Sequence, residues 1–369
     1  MEHNQSSDRQ EVNNAGAHAE SRQIKGMLIE EIREFLTEIG QPAYRAGQIF
    51  NWMYNHTVMD FDEMLNLPRT LREYLKENCS IQSLHLTELQ SSGTTGTKKF
   101  LFTTGDGRSI ESVLIPDGDR ATLCVSTQAG CPLDCKFCAT GLMGYKRNLT
   151  TGEIVDQYLI AANEFGKDKI TNIVYMGMGE PLLNYNATVR SLSIFTDELT
   201  KGLSRNRITV STAGITPRIT DLADSGIRVK LALSLHSCFD DVRTTIMPIN
   251  KKYPIKETLK AVKYFSAQTN TRITFEYTML KGINDRPEDI KALVKLCRTI
   301  PSKVNLIPFN SIAHMSPGGI SAELRPTPVR EIELFADTLR ENNITVLLRD
   351  TQGSDISAAC GQLAITKQN

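Results

Sequence analysis

The chain has 369 residues, 40% of them apolar, with 42 Lys plus Arg set against 42 Asp plus Glu. That length suits one large domain and a smaller one, and no run of eighteen apolar residues is present to cross a membrane as a helix. The balanced charge excludes a globally basic nucleic-acid binder, so any anion-binding surface must be local. The first residues do not read as a signal peptide, so a cytoplasmic protein with its eight cysteines reduced is expected.

Residues 1–23 are polar and lack periodicity, and a disordered tail is expected there. A small helical domain follows over residues 24–82. Leu28, Ile29, Ile32, Phe35 and Leu36 recur at helical spacing, and Gly40-Gln41-Pro42 breaks the run. A second helix is predicted through Arg45, Gln48, Ile49, Trp52 and Met53, and a third through Leu65, Pro68, Leu71 and Leu75. Arg45, Arg69 and Arg72 read as a solvated helix face, with an RNA-facing surface as the alternative. Residues 83–118 read as a β-hairpin extension. Its arms are Lys98–Phe102 and Ser109–Pro116 around Gly105-Asp106-Gly107, with Glu111 on the second arm.

Over residues 119–349 strands alternate with helices. Strands are predicted at 121–126, 172–176, 207–211, 229–235, 272–277, 304–308 and 345–348. Helices are predicted between them, for example at 154–165, 255–267, 287–296 and 329–342. Alternation of this kind implies a parallel sheet with right-handed crossovers. The fold class expected is α/β, a partial TIM-like (β/α)6 barrel, with chemistry at the C-terminal strand ends. Residues 350–369 form a C-terminal tail.

One loop carries the strongest chemical signal. Cys131-Pro-Leu-Asp-Cys135-Lys-Phe-Cys138 packs three thiols into eight residues directly after the first barrel strand. Three thiolates can hold three irons of a [4Fe–4S] cluster, whereas most such clusters take four cysteines. The missing fourth ligand leaves one iron open. The spacing resembles the cluster loop of radical S-adenosylmethionine (SAM) enzymes, in which SAM chelates the open iron. A zinc knuckle with a distant fourth ligand is the competing reading. Other candidate residues lie at the ends of later strands. Gly177 and Gly179 let backbone approach a ligand closely. Glu180 can accept from the SAM amine, Ser211 and Ser234 offer hydroxyls, and Asn310 offers a two-way amide. Leu235 and His236 end the fourth strand, where His236 reads more simply as a hydrogen-bonded structural histidine. Cys79, Cys238 and Cys297 read as buried small apolar residues.

Four longer stretches resemble the RlmN family of radical SAM methyltransferases. They are Cys124 to Gly141, Met176-Gly-Met-Gly-Glu-Pro181, Leu233-Ser-Leu-His236, and Gly353 to Leu363 with its Ala-Ala-Cys360-Gly-Gln-Leu end. The resemblance implies an RNA methyltransferase acting on C2 of adenosine in 23S rRNA and in tRNA. Its cofactors would be a [4Fe–4S] cluster on Cys131, Cys135 and Cys138, and SAM held by Gly179, Glu180, Ser211, Ser234, Leu235, His236 and Asn310. It implies Cys360 as the methyl-accepting residue, Cys124 as the thiol that releases the product, and Glu111 as a proton acceptor. Residues 24–82 would position RNA, and Lys98, Lys99, Lys136, Lys146 and Arg147 could contact phosphates. A reducing electron donor, unidentified, and no membrane complete the expected partners. The same motifs admit methylation at adenine C8, and a radical SAM enzyme acting on protein or a small molecule stays open beside the zinc-binding RNA module.

Overall fold

The computed structural model describes residues 21–200 and 202–365, so most of the tail expected to be disordered lies outside the described residues. Three amphipathic helices come first: α1 (Ile29–Glu38), α2 (Arg45–Tyr54) and α3 (Arg69–Asn78). Their apolar stripes (Ile32, Phe35 and Leu36; Ile49, Phe50 and Met53; Leu71 and Leu75) are buried in one core. The boundary at residue 23 needs correction. Arg22–Gln23 forms a short strand, β1, paired in parallel with β2 (Cys79–Ser80), so the chain entering the helical domain is clamped to the chain leaving it.

The predicted hairpin is a three-stranded antiparallel meander: β3 (Leu84–Ser91), β4 (Lys98–Thr104) and β5 (Ser109–Asp117). It is also not separate from the barrel. β5 pairs antiparallel with β6 (Arg120–Cys124), the first barrel strand, and sets Val113 opposite Cys124. A two-stranded ribbon, β7 (Gln128–Gly130) with β8 (Tyr145–Asn148), brackets the cysteine loop and its short helix α4 (Ala139–Leu142). The remaining strands are β9 (Ile170–Tyr175), β10 (Ile208–Thr212), β11 (Lys230–Ser234), β12 (Ile273–Met279), β13 (Ser302–Pro308) and β14 (Val346–Leu348). One ten-stranded sheet runs β14-β13-β12-β11-β10-β9-β6-β5-β4-β3. From β6 to β14 all neighbours are parallel. The ends β14 and β3 do not pair, so the barrel is open, as expected of the partial form.

The helices that cover this sheet are α5 (Thr151–Phe165), α6 (Tyr185–Thr196), α7 (Thr216–Asp224), α8 (Asp240–Ile246), α9 (Ile255–Thr269), α10 (Pro287–Cys297), α11 (Ile320–Glu323) and α12 (Val329–Glu341). Thr150 caps α5, its hydroxyl accepting from Glu153 N–H while Glu153 accepts in return from Thr150 N–H.

The helical domain docks on α5 through a buried ion pair and on α6 through a partly exposed one. The Lys25 ammonium faces Asp156 at 3.5 Å with both side chains fully buried, and Asp156 also accepts from the backbone N–H of Ser83 and Leu84. Arg190 holds Glu31 with two nitrogens, at 2.7 and 2.5 Å. Burial lowers the Lys25 pKa, against the pull of Asp156. Removing one partner would strand the other in a dry site. Asp156→Ala is therefore expected to destabilise the protein by about 3–5 kcal/mol, read as a lowered denaturation midpoint. An unchanged midpoint would show that this buried pair does not hold the two parts together.

Candidate active site

Between β7 and α4 the chain makes a tight loop, with Asp134 in the left-handed region at φ 52°. Cys131 N–H donates to Gly144 O at 3.2 Å, Cys138 N–H to Cys135 O at 3.1 Å, and Lys136 N–H to Ile246 O at 2.9 Å. The three thiols line one cavity at the C-terminal ends of the parallel strands. Gly179, Glu180, Ser211, Ser234, His236, Asn310 and Cys360 line the same cavity. Leu235 does not. It is buried and works through its backbone, its N–H donating to Glu276 O at 3.1 Å and its carbonyl accepting from Arg243 Nε at 3.0 Å.

The glycines have a different reason from the one expected. A Cβ on Gly179, which has φ +97°, would sit 2.5 Å from Gln128 Cβ, and one on Gly177 would sit 2.6 Å from Ser126 Oγ. They line the cavity, but their smallness is required by the strand-end segment behind them. Glu180 is buried and already accepts from Leu182 N–H at 3.0 Å and Ala213 N–H at 2.8 Å. Burial pushes its carboxyl up to about 7, against those hydrogen bonds. His236 Nδ1 accepts from Thr278 N–H at 2.9 Å, which assigns the proton of the neutral ring to Nε2. Burial, with the Arg243 charge adding to it, pushes this ring down to about 3. His236 also adopts φ 54° and packs edge-on to Phe137 at 4.5 Å.

Arg243 and Glu276 escaped the sequence reading. The Arg243 guanidinium is buried, donating to Asn250 Oδ1 at 2.8 Å and to the carbonyls of Ala213 (2.7 Å), Ser234 and Leu235 (both 3.0 Å). It ties together the loops that follow β10 and β11, behind Cys135. Glu276 on β12 lines the cavity and accepts from Asn305 Nδ2 at 2.7 Å. Neither belongs to a recognisable local motif; each reaches the site through the placement of its element, Arg243 from the middle of α8 and Glu276 from the middle of β12.

The two outlying cysteines are electrostatic neighbours. Cys124 is buried at the end of β6, and burial, then the neighbouring Cys360 thiol, push it up to about 12, with Arg349 opposing. Arg349 follows β14 and is the cation beside both thiols, while Cys360 itself is an exposed residue. The tail that carries Cys360 is anchored at several points. Gly361 O accepts from Ala139 N–H at 2.7 Å, Leu363 O accepts from Thr140 Oγ1 at 2.6 Å, and Cys360 O accepts from Asn310 Nδ2 at 3.1 Å. Glu111 is not among the cavity-lining residues. It lies beside the cavity, under the tail, bound to Lys99 and to the N–H of Ala364.

Known proteins resemble this chain along almost its whole length. A model of the radical SAM superfamily matches residues 125–297, and one of the ribosomal RNA large subunit methyltransferase N-terminal domain matches residues 23–81. The probable dual-specificity RNA methyltransferase RlmN of Dictyoglomus turgidum is 44% identical over 342 residues, 92% of this chain and 96% of that protein. The dual-specificity RNA methyltransferase RlmN of Geotalea uraniireducens is 43% identical, over 92% of this chain and 96% of its own. The crystal structure of a radical SAM methyltransferase from Sphaerobacter thermophilus superposes with a TM-score of 0.87 at 41% identity, covering 93% of this chain and 99% of that one. The chain belongs to the RlmN family.

As an RlmN-family radical SAM protein it uses a [4Fe–4S] cluster and SAM. The residues present suit that cluster. The three loop thiols share one cavity wall. Burial and mutual repulsion push Cys131 up to about 12 and raise Cys135 well above its ordinary value, with Arg243 the opposing cation at Cys135. Buried thiols of this kind take up negative charge when metal supplies the compensation.

Several basic residues are already committed. Arg147 is held by Asp106 and Glu153, each at 2.7 Å, Lys136 by Asp134 at 2.5 Å, and Lys99 by Glu111 at 3.1 Å. Lys98 sits over the Phe165 ring at 5.9 Å. In the helical domain Arg69 pairs with Glu73 at 2.7 Å, while Arg45 stacks over Tyr44, which is 66% exposed. Cys238 is half-buried and lies near Cys297, apart from the site. No described helix is long and apolar enough to cross a membrane.

Proposed function

We propose that this protein methylates C2 of an adenosine in 23S rRNA and of the adenosine 3′ to the anticodon in tRNA, with Cys360 as the carrier of the transferred carbon. What supports this reading is that Cys124 and Cys360, 236 positions apart in sequence, are electrostatic neighbours, with Cys360 on the wall of the cavity that the three-cysteine loop also lines. A simple hydrogen-abstracting enzyme needs neither of the two. Adenine C2 is electron-poor and does not attack a methyl donor as a nucleophile, so a radical route is required. Cys131, Cys135 and Cys138 would hold the cluster, and Gly179, Glu180, Ser211, Ser234, His236 and Asn310 would bind SAM, which together would supply a 5′-deoxyadenosyl radical by one-electron cleavage. Cys360, on the cavity wall, first takes a methyl group on sulfur. Hydrogen abstraction from that methyl would let its carbon bond to adenine, and return of the odd electron to the oxidised cluster would leave RNA tethered to Cys360. Glu111 takes the C2 proton, and the Cys124 thiol attacks the Cys360 sulfur, a proton passing to the departing carbon, which becomes the methyl group of the freed RNA. The resulting Cys124–Cys360 disulfide must be reopened by a reductant. The helical domain positions RNA, and the target base leaves its stack to reach the cavity.

The deciding experiment is anaerobic reaction with protein-free 23S rRNA and tRNA, followed by nucleoside mass spectrometry. C2-methyladenosine in both RNAs is expected. C8-methyladenosine would transfer the protein to the sister chemistry, and no modified adenosine would overturn the RNA reading. A further expected outcome concerns the carrier. Labelled SAM should leave a methyl on Cys360 before RNA is added, found by peptide mapping. Label on Cys79, Cys238 or Cys297, with none on Cys360, would reverse the reading of the tail.

A further inference from the structure

Glu111 is a buried carboxylate in an antiparallel sheet, and its setting has parts that the family motifs do not contain. Residues directly opposite each other in a ladder share a face. Lys99 faces Val113, and Val113 faces Cys124, so Lys99, Glu111, Val113 and Cys124 project from the same side of the β4-β5-β6 sheet. Lys99 itself is 9% exposed, rare for a lysine, and its ammonium lies 3.1 Å from Glu111 Oε1. The other carboxylate oxygen, Oε2, accepts from Ala364 N–H at 3.0 Å. Ala364 lies four residues beyond Cys360 on the same tail. The backbone N–H of Glu111 points to Met178 Sδ at 3.3 Å, and its carbonyl accepts from Ser126 Oγ at 2.5 Å. The carboxylate is thus held at both oxygens, by a cation from β4 and by the segment that carries the methyl group.

We infer that Lys99 is the positioning residue of Glu111: it keeps the carboxylate ionised and, with the Ala364 amide, aims it towards RNA attached at Cys360. This inference rests on the reading of Glu111 as proton acceptor. Burial raises the Glu111 carboxyl, and Lys99, first by charge and then by hydrogen bonding, opposes the rise, followed by the Ala364 amide. Glu88, on β3, adds a smaller repulsion in the same direction as burial. Among the described residues Lys99 is the cation that opposes this rise. In the step itself, once the adduct has returned its odd electron to the oxidised cluster, the adenine C2–H bond breaks, an O–H bond forms on Glu111, and the electron pair of the broken bond restores the adenine ring. Glu111 becomes neutral beside Lys99. The same tie explains why Lys99 is committed inward and does not serve RNA phosphate.

The sign of the pH effect follows. Without Lys99 the carboxyl binds its proton more tightly, so the base works only at higher pH. Lys99→Met should move the midpoint of RNA release upward, with release below it slowed about tenfold for each unit of the shift. Protein–RNA adduct should therefore accumulate at pH 7 and clear as the pH is raised. Lys99→Arg should restore most of the rate and bring the midpoint back towards wild type. The assay is single-turnover release of methylated tRNA from the full-length, cluster-loaded protein across pH, with denaturing gels to count adduct and with 5′-deoxyadenosine measured alongside. A wild-type pH midpoint in Lys99→Met would overturn the inference. So would loss of 5′-deoxyadenosine formation in that variant, which would mark Lys99 as a support of the fold. Glu111→Gln separates the two levels. If it releases RNA at the wild-type rate, the proton-acceptor reading itself fails; if it stalls while Lys99→Met keeps the wild-type profile, only the role of Lys99 fails.

Discussion

Cys135→Ala is expected to reduce 5′-deoxyadenosine formation to background under anaerobic, reducing conditions. Cys131, Cys135 and Cys138 each account for one thiolate, and the cubic cluster already lacks a fourth protein ligand. The loop itself holds no further cysteine, and Cys360, the other cysteine lining the same cavity, is assigned to carrying the methyl group. Cys135 is also the thiol backed by Arg243, whose buried guanidinium can offset cluster charge at that corner. Iron and sulfide analysis with visible absorption should show loss of the cluster, and circular dichroism should show that the barrel persists. Formation of 5′-deoxyadenosine at the wild-type rate would sink the assignment of this loop.

Removing the Cys124 thiol has the second large consequence. Carbon–carbon bond formation needs Cys360 and the radical, whereas release needs a second sulfur. Cys124→Ala should therefore trap RNA on the protein through Cys360 and one methylene carbon, with release slowed by roughly 10³-fold or more, the scale on which loss of a nucleophile is felt. Cys124→Ala/Cys360→Ala should form no adduct. The position of Cys124 supports a chemical role over simple packing. Its thiol is buried on the sheet face that also carries Glu111, and Cys360 and Arg349 are its named electrostatic neighbours. Denaturing gels with labelled RNA would show the adduct as a shifted band removed by ribonuclease or protease. Normal turnover without that band would reduce Cys124 to a packed small residue and remove the disulfide from the scheme.

Much of the architecture was legible before any coordinates, and for identifiable reasons. β9 to β13 are apolar runs with both faces covered, and the α9, α10 and α12 stripes repeat at helical spacing, so each carries its own signal. β3 did not announce itself. A register shift between Leu86 and Glu88 interrupts the alternation of Leu84, Leu86 and Leu89, and its residues are neither aromatic nor, apart from Thr87, β-branched. Helix α6, with its Asn, Thr and Ser, has weak intrinsic propensity and is helical because it packs beside α5. The strand at Arg22–Gln23 is only two residues long and has no pattern at all; its partner at Cys79–Ser80 defines it.

The sequence by itself determined the kind of chemistry. Thiol spacing in the 131–138 loop is a local property, because three ligands of one cluster must lie within a few residues when a single loop supplies them. The motif stretches at Met176–Pro181, Leu233–His236 and Gly353–Leu363 likewise read in isolation. Tertiary structure decided how those parts act on one another. It made the hairpin continuous with the barrel, which puts Glu111 on the same sheet face as Cys124. It turned Lys99 from a candidate phosphate contact into the partner of Glu111, and assigned Gly177 and Gly179 to close backbone packing. It buried Arg243 behind the cluster loop and brought Arg349 to the two outlying thiols. These relations depend on charge and contact between residues distant in sequence. Such terms arise only when burial removes water and the sheet fixes which side chains face each other.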